Sequence, residues 1–161
     1  MKKSILSFLM SLIIISGFSQ KDFSAKINQL LKHAETDFKA ITGSKTSQED
    51  KYNIFQSSLK LGVGSEIIGK NTETGEAAYI LEVDYKNAVE LETSLTNFCN
   101  KHAKDYDIFS DGDDDGYYIT EIYKKGTSLL MMTFSVEPDN KRNTDVFQLV
   151  IFGKTIFIKE K

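Results

Sequence analysis

Hydrophobic positions divide the chain into an opening that is apolar all round, two helical stripes and a series of alternating segments. The opening run, residues 5–15, is interrupted only by Ser7 and Ser11. Lys2 and Lys3 precede it, and Gly17 and Ser19 set small residues at the two positions a signal peptidase reads. This pattern predicts a secretory signal peptide over 1–19, with Gln20 as the first mature residue. The run falls short of the roughly 20 apolar residues that a membrane span needs. No Cys follows it, so a lipid anchor at the cut is not expected.

The first stripe is Phe23, Ile27, Leu30, Leu31, Ala34, Phe38 and Ile41, and its spacing predicts a helix over 23–41. Gly43 is placed to cap it in a left-handed conformation, and 44–50 read as polar loop. Residues 52–61 predict a first strand. Two more follow at 66–70 and 76–85, joined by a turn from Asn71 to Gly75. In the latter, Ala78, Ile80 and Glu82 share one face, and Tyr79, Leu81 and Val83 the other. Asn87 with Glu90 has the spacing of a capping box. It opens a second helix striped by Ala88, Leu91, Leu95, Phe98 and His102.

Strand patterns dominate from there: 106–110, 117–124, 128–136, 145–152 and 155–159, with turns at 111–116, at Gly126 and at 138–140. The order is helix, about three strands, helix, about five strands, and the short turns imply antiparallel pairing. The fold class expected is α+β: two helices packed on one face of a largely antiparallel sheet of about seven to eight strands, in one domain over 20–161. Tyr52-Asn-Ile-Phe55 echoes Tyr106-Asp-Ile-Phe109, a match too short to establish a repeat.

The segments 128–136 and 145–152 are apolar on both faces, whereas an antiparallel strand with one wet face alternates apolar with polar. Something is therefore expected to cover the second face: the sheet curling on itself, another protein, a second copy forming a homodimer through the C-terminal strands, or a small apolar ligand.

Composition narrows the chemistry. Without Lys2 and Lys3 the chain has 18 basic residues against 23 acidic, a net charge of −5. Arg142 is the only Arg. That balance disfavours polyanions, so no nucleic-acid partner is expected. Cys99 is the only Cys, which leaves stability to the apolar core and makes a buried inert thiol the ordinary expectation, with an intermolecular disulfide as the alternative.

Asp111-Gly-Asp113-Asp-Asp115-Gly116 fits the first six positions of a calcium loop, with hard oxygen ligands at alternate positions and a Gly for the sharp turn. Over these six residues it resembles the calcium loops of EF-hands and the loops between strands in repeat proteins. The resemblance implies Asp111, Asp113 and Asp115 as metal ligands. The pattern then fails, because positions nine and twelve are Ile119 and Ile122, so weak calcium binding is the most it predicts. An ordinary acidic hairpin turn explains the same residues.

Gly62-Val-Gly64-Ser65 has the look of a phosphate cradle but lacks the Lys-Ser/Thr ending of a P-loop, and it reads as a turn. Cys99 and His102 are neighbours on one helix surface, without a third group to orient them as a catalytic pair. Glu66, Glu73, Glu76, Glu82, Asp84, Glu90 and Glu92 read as a solvated surface rather than a defined acid–base pair. No catalytic or cofactor-binding residue is assigned, and no cofactor beyond weak calcium is implied. The pattern as a whole predicts a secreted or periplasmic binding or protein-interaction module. The alternatives are a small extracytoplasmic hydrolase with a dispersed carboxylate site, or a calcium-binding structural domain.

Overall fold

A computed structural model describes residues 20–113, 117–139 and 144–154. The signal peptide expected at 1–19, Asn140 of the turn expected at 138–140 and the strand expected at 155–159 lie outside the described residues. Helix α1 (Gln20–Ala34) carries the first stripe, with Phe23, Ile27 and Leu30 fully buried. It ends earlier than the periodicity predicts. Asp37 and Phe38 take left-handed φ values of 52° and 59°, and Phe38 N donates to His33 O at 2.9 Å. Phe38 and Ile41 thus reach the core from a turn whose apolar spacing imitates a further helical turn. Gly43, expected as the left-handed cap, instead lies in the strand that follows.

That strand, β1 (Thr42–Glu49), occupies the segment expected to be polar loop. Seven of its eight residues are exposed, and its ladder partner is β2 (Tyr52–Ser57). An edge strand wet on both sides has no alternation to betray it, and its polar side chains resist pairing with a foreign sheet edge. Next come β3 (Ser65–Asn71) and β4 (Ala77–Asp84). Their turn is closed by the Asn71 side chain, which accepts from Glu73 N and Thr74 N. Asn87 closes a 3-10 turn (Tyr85–Asn87) rather than capping a helix, and α2 (Val89–Lys101) begins behind Ala88 without a side-chain cap.

The second half is the meander β5 (Tyr106–Gly112), β6 (Tyr118–Lys124), β7 (Leu130–Asp139) and β8 (Thr144–Phe152). Pro138, expected in a turn, continues β7 beyond its last pair with β6, where the strand is an edge and Pro is tolerated. The fold is α+β, with both helices on one face of an eight-stranded antiparallel sheet of order β1-β2-β3-β4-β8-β7-β6-β5. Among the described residues four strands follow each helix, where three were expected after the first. Each half is a helix followed by a meander, and the halves meet where β4 pairs with β8. The Tyr-x-Ile-Phe echo falls on β2 and on β5, the second strand of one meander and the first of the other.

One apolar core lies between helices and sheet. It joins the α1 stripe and Leu91, Leu95 and Phe98 of α2 to the inward residues of the central strands, among them Tyr79, Leu81, Phe147, Leu149 and Met132. Gly153 allows the end of β8 to pass under the α1 turn: a Cβ there would stand 2.7 Å from Asp37 Oδ1 and 2.8 Å from Ala77 O. Lys154 N then donates to Ala34 O at 2.8 Å, satisfying a carbonyl at the helix end.

Candidate functional site: the uncovered sheet face

Strand alternation sends every second residue to the face away from the helices, and the register lines these residues up in rows. One row crosses β2, β3, β4 and β8 as Ile54, Gly69, Ala78 and Phe152. The next runs Gln56, Ile67, Ile80, Val150, Thr133, Glu121 and Phe109. A third runs Ser65, Glu82, Gln148, Ser135, Ile119 and Asp111. Among the described residues no helix or strand lies over these rows, since both helices pack on the opposite face.

The rows are chemically uneven. Ile54, Ile67, Ile80, Val150 and Phe152 form an apolar area over β2, β3, β4 and β8. Gly69 and Ala78 are the small residues of this area, between Ile54 and Phe152 in their row, and a Cβ on Gly69 would meet only Ile80 Cδ1, at 3.6 Å. Glycine inside a strand weakens it and commonly marks a place where another molecule approaches closely. From β7 onward the face becomes mixed: β7 turns Thr133, Ser135 and Glu137 outward, so the second apolar face expected over 128–136 is polar at these positions. Phe109 is 60% exposed and packs edge-on against Tyr123 at 5.8 Å. The Tyr123 hydroxyl donates to Glu121 at 3.0 Å, and Gln148 donates to Glu82 at 3.2 Å.

The acidic turn joins β5 to β6. Asp111 stands exposed on β5 opposite Ile119, and Asp113 lies at the hairpin tip, while Asp115 is outside the described residues. The Asp113 carboxylate accepts from Tyr117 N at 3.0 Å, and Asp113 N donates to Tyr117 O at 3.0 Å, so Asp113 closes the hairpin. Ile119 points to the outer face, and Ile122 is fully buried in the core. Among the described residues no three His, Cys, Asp or Glu side chains are grouped as metal ligands.

The glycine-rich loop holds an anion supplied by the chain itself. Leu61 N and Gly62 N donate to the Glu66 carboxylate at 2.7 and 2.8 Å, Val63 N at 3.2 Å, and the Tyr79 hydroxyl adds a further bond. Glu66, grouped from sequence with the solvated carboxylates, is 7% exposed. The signal was present: a Gly-x-Gly turn offers unpaired N–H groups, and an acidic residue two positions on can fill them. Gly64, at φ +64°, crosses against Glu82 O, where a Cβ would stand at 2.1 Å.

Cys99 is buried, and burial pushes its thiol pKa up to about 11, so at neutral pH it is a protonated thiol rather than a nucleophile. His102 caps α2, stacks on Phe98 with ring centroids 4.6 Å apart and contacts Asp105 at 3.5 Å. Glu92, in the first turn of α2, accepts from the Tyr85 hydroxyl at 3.3 Å. The Tyr118 phenol beside it is held protonated well above its ordinary range, first by burial and then by the Glu92 carboxylate.

No protein-family model, curated protein or solved structure matches this chain. Among the described residues no helix is long and apolar enough to cross a membrane.

Proposed function

We propose that this protein is an exported binding module that works through the face of its sheet opposite the helices. One observation carries the reading: an eight-stranded sheet has both helices on one side and a continuous apolar area on the other, centred on Ile67, Ile80 and Val150. Ile67, Ile80 and Val150 are half-buried, and contiguous apolar surface that reaches solvent marks interaction sites more often than ordinary surface. Export is supported by Lys2, Lys3, the apolar run and the small residues at 17 and 19.

The apolar dye anilinonaphthalene sulfonate tests the surface. Its fluorescence rises on the native protein, and Ile80→Glu and Val150→Glu suppress the rise while leaving the denaturant midpoint close to wild type. Unchanged dye binding in both variants overturns the assignment of the face. N-terminal sequencing of protein recovered from the cell envelope tests export, with Gln20 expected first. A soluble cytosolic product retaining 1–19 overturns it.

A further inference from the structure

We propose that the uncovered face docks a cationic amphipathic segment of a partner protein, a reading that rests on the binding role just assigned and names the chemistry it accepts. Among the described residues, every acidic or basic side chain at a strand position on this face is a carboxylate. Glu82 and Asp84 on β4, Glu121 on β6 and Glu137 on β7 flank the apolar rows. The lysines near the face belong to turns at its rims: Lys51 lies over the Tyr52 ring, and Lys125 pairs with Asp107 at 2.6 Å. The strand lysines Lys45, Lys70 and Lys124 align with Phe55, Ala77 and Tyr106 and so belong to the helix side.

Apolar and acidic areas lie side by side. The row of Ile67 and Ile80 is one strand repeat, about 7 Å, from the row of Ser65 and Glu82. The apolar rows cross four strands, about 14 Å, which is between two and three turns of a helix. A segment with apolar residues on one side and Lys or Arg on the other would seat the first on the apolar rows around Gly69 and Ala78 and bring the second to the carboxylates. A second copy of this chain fits poorly, because two such faces would oppose carboxylate to carboxylate. A small apolar molecule would use the apolar rows and leave the acidic flank without a role.

The probes are a fluorescein-labelled Leu/Lys amphipathic peptide of about 18 residues, its Leu/Glu counterpart and a scrambled Leu/Lys peptide, read by anisotropy on the purified protein. The Leu/Lys peptide binds, weakens as salt rises, and is selected over both others. Glu82→Gln/Glu121→Gln/Glu137→Gln weakens it by about tenfold or more. Asp22→Asn/Glu35→Gln/Glu90→Gln, an equal charge change off the face, leaves it unaltered. Equal loss in both triple variants, or equal binding of the scrambled peptide, overturns the proposal. If Ile80→Ser weakens all three peptides alike, the binding face stands and the cationic preference falls. If no substitution on the face alters any peptide, both fall. A dimer in sedimentation that Ile80→Ser dissociates assigns the face to a second copy and overturns the proposal.

Discussion

Tyr79 on β4 donates its hydroxyl to the carboxylate of Glu66 on β3, its diagonal neighbour on the core side of the sheet. The same carboxylate collects three backbone N–H groups from the loop before β3, so one buried side chain ties loop, strand and neighbouring strand together. Both groups are desolvated, and the Tyr79 phenol is held far above its ordinary pKa, chiefly by burial and then by Glu66.

Glu66→Gln keeps the shape but turns an amide NH2 toward one set of loop N–H donors. We expect a loss of roughly 1–3 kcal/mol in stability, the cost of a buried polar group left without its match. Tyr79→Phe removes one bond to a charged acceptor and is expected to cost roughly 1.5–3 kcal/mol. Because the residues touch, the double variant is expected to lose less than the sum, which a double-mutant cycle in denaturant measures. Additive losses would show that the pair is not coupled.

Alternation and helical spacing agree with the structure at the faces of β4, the α1 stripe from Phe23 to Ala34, the α2 stripe and the four described strands of the second half. β1 was missed because an edge strand exposed on both sides has no buried face, and its backbone pairing leaves no mark on side-chain polarity. The end of α1 was misplaced because Ala34, Phe38 and Ile41 keep helical spacing while the chain turns through two left-handed residues. Glu66 was missed because a carboxylate next to a turn reads as solvated until the loop N–H groups are seen to converge on it. The uncovered face was only partly legible: Val150 and Phe152 on the second face of β8 belong to it, but β7 turns Thr133, Ser135 and Glu137 outward, and the rest of the apolar area comes from β2, β3 and β4. The placing of Gly69 and Ala78 within it depended on register, which only the fold supplies.

The core offers a direct comparison between turn and helix. Phe38 enters from the α1 turn and Phe98 from α2, and both are essentially inaccessible, at 0% and 1% exposure. Replacing either with Ala is expected to cost about 3–5 kcal/mol, measured from denaturant midpoints. A loss below ~1 kcal/mol at Phe38 would mean that the turn relaxes to fill the void. His33→Ala, a site outside the stripe, is expected to change little.

Cys99 makes stability sensitive to base. Its folded pKa, raised by burial to about 11 from 9.0, means that the folded state favours the neutral thiol. That contribution is complete below the unfolded value and is lost as pH climbs from about 9 toward 11. Alkaline titration of the denaturant midpoint is therefore expected to show a shallower fall in Cys99→Ala than in wild type. Thiol labelling at pH 8 is expected to be slow in the native protein and complete in guanidinium. Rapid native labelling would place the thiol at the surface.

The acidic hairpin is expected to bind calcium only weakly. Asp111 and Asp113 bring two carboxylates to one turn, and their repulsion is eased by a cation. Asp113 already spends a lone pair on Tyr117 N, and the twelfth loop position, Ile122, is a core side chain that cannot offer oxygen. Affinity should therefore fall at ~10⁻⁴–10⁻³ M or weaker, the range of extracellular modules. Binding then raises the melting temperature only at millimolar calcium, by mass action. Asp113→Ala is expected to abolish that shift while the protein stays folded, because the Asp113 side chain is exposed and outside the core. Calorimetric titration decides the matter. A micromolar site lost in both Asp111→Ala and Asp113→Ala would show that a further oxygen closes the loop and that this turn, rather than the sheet face alone, has a ligand.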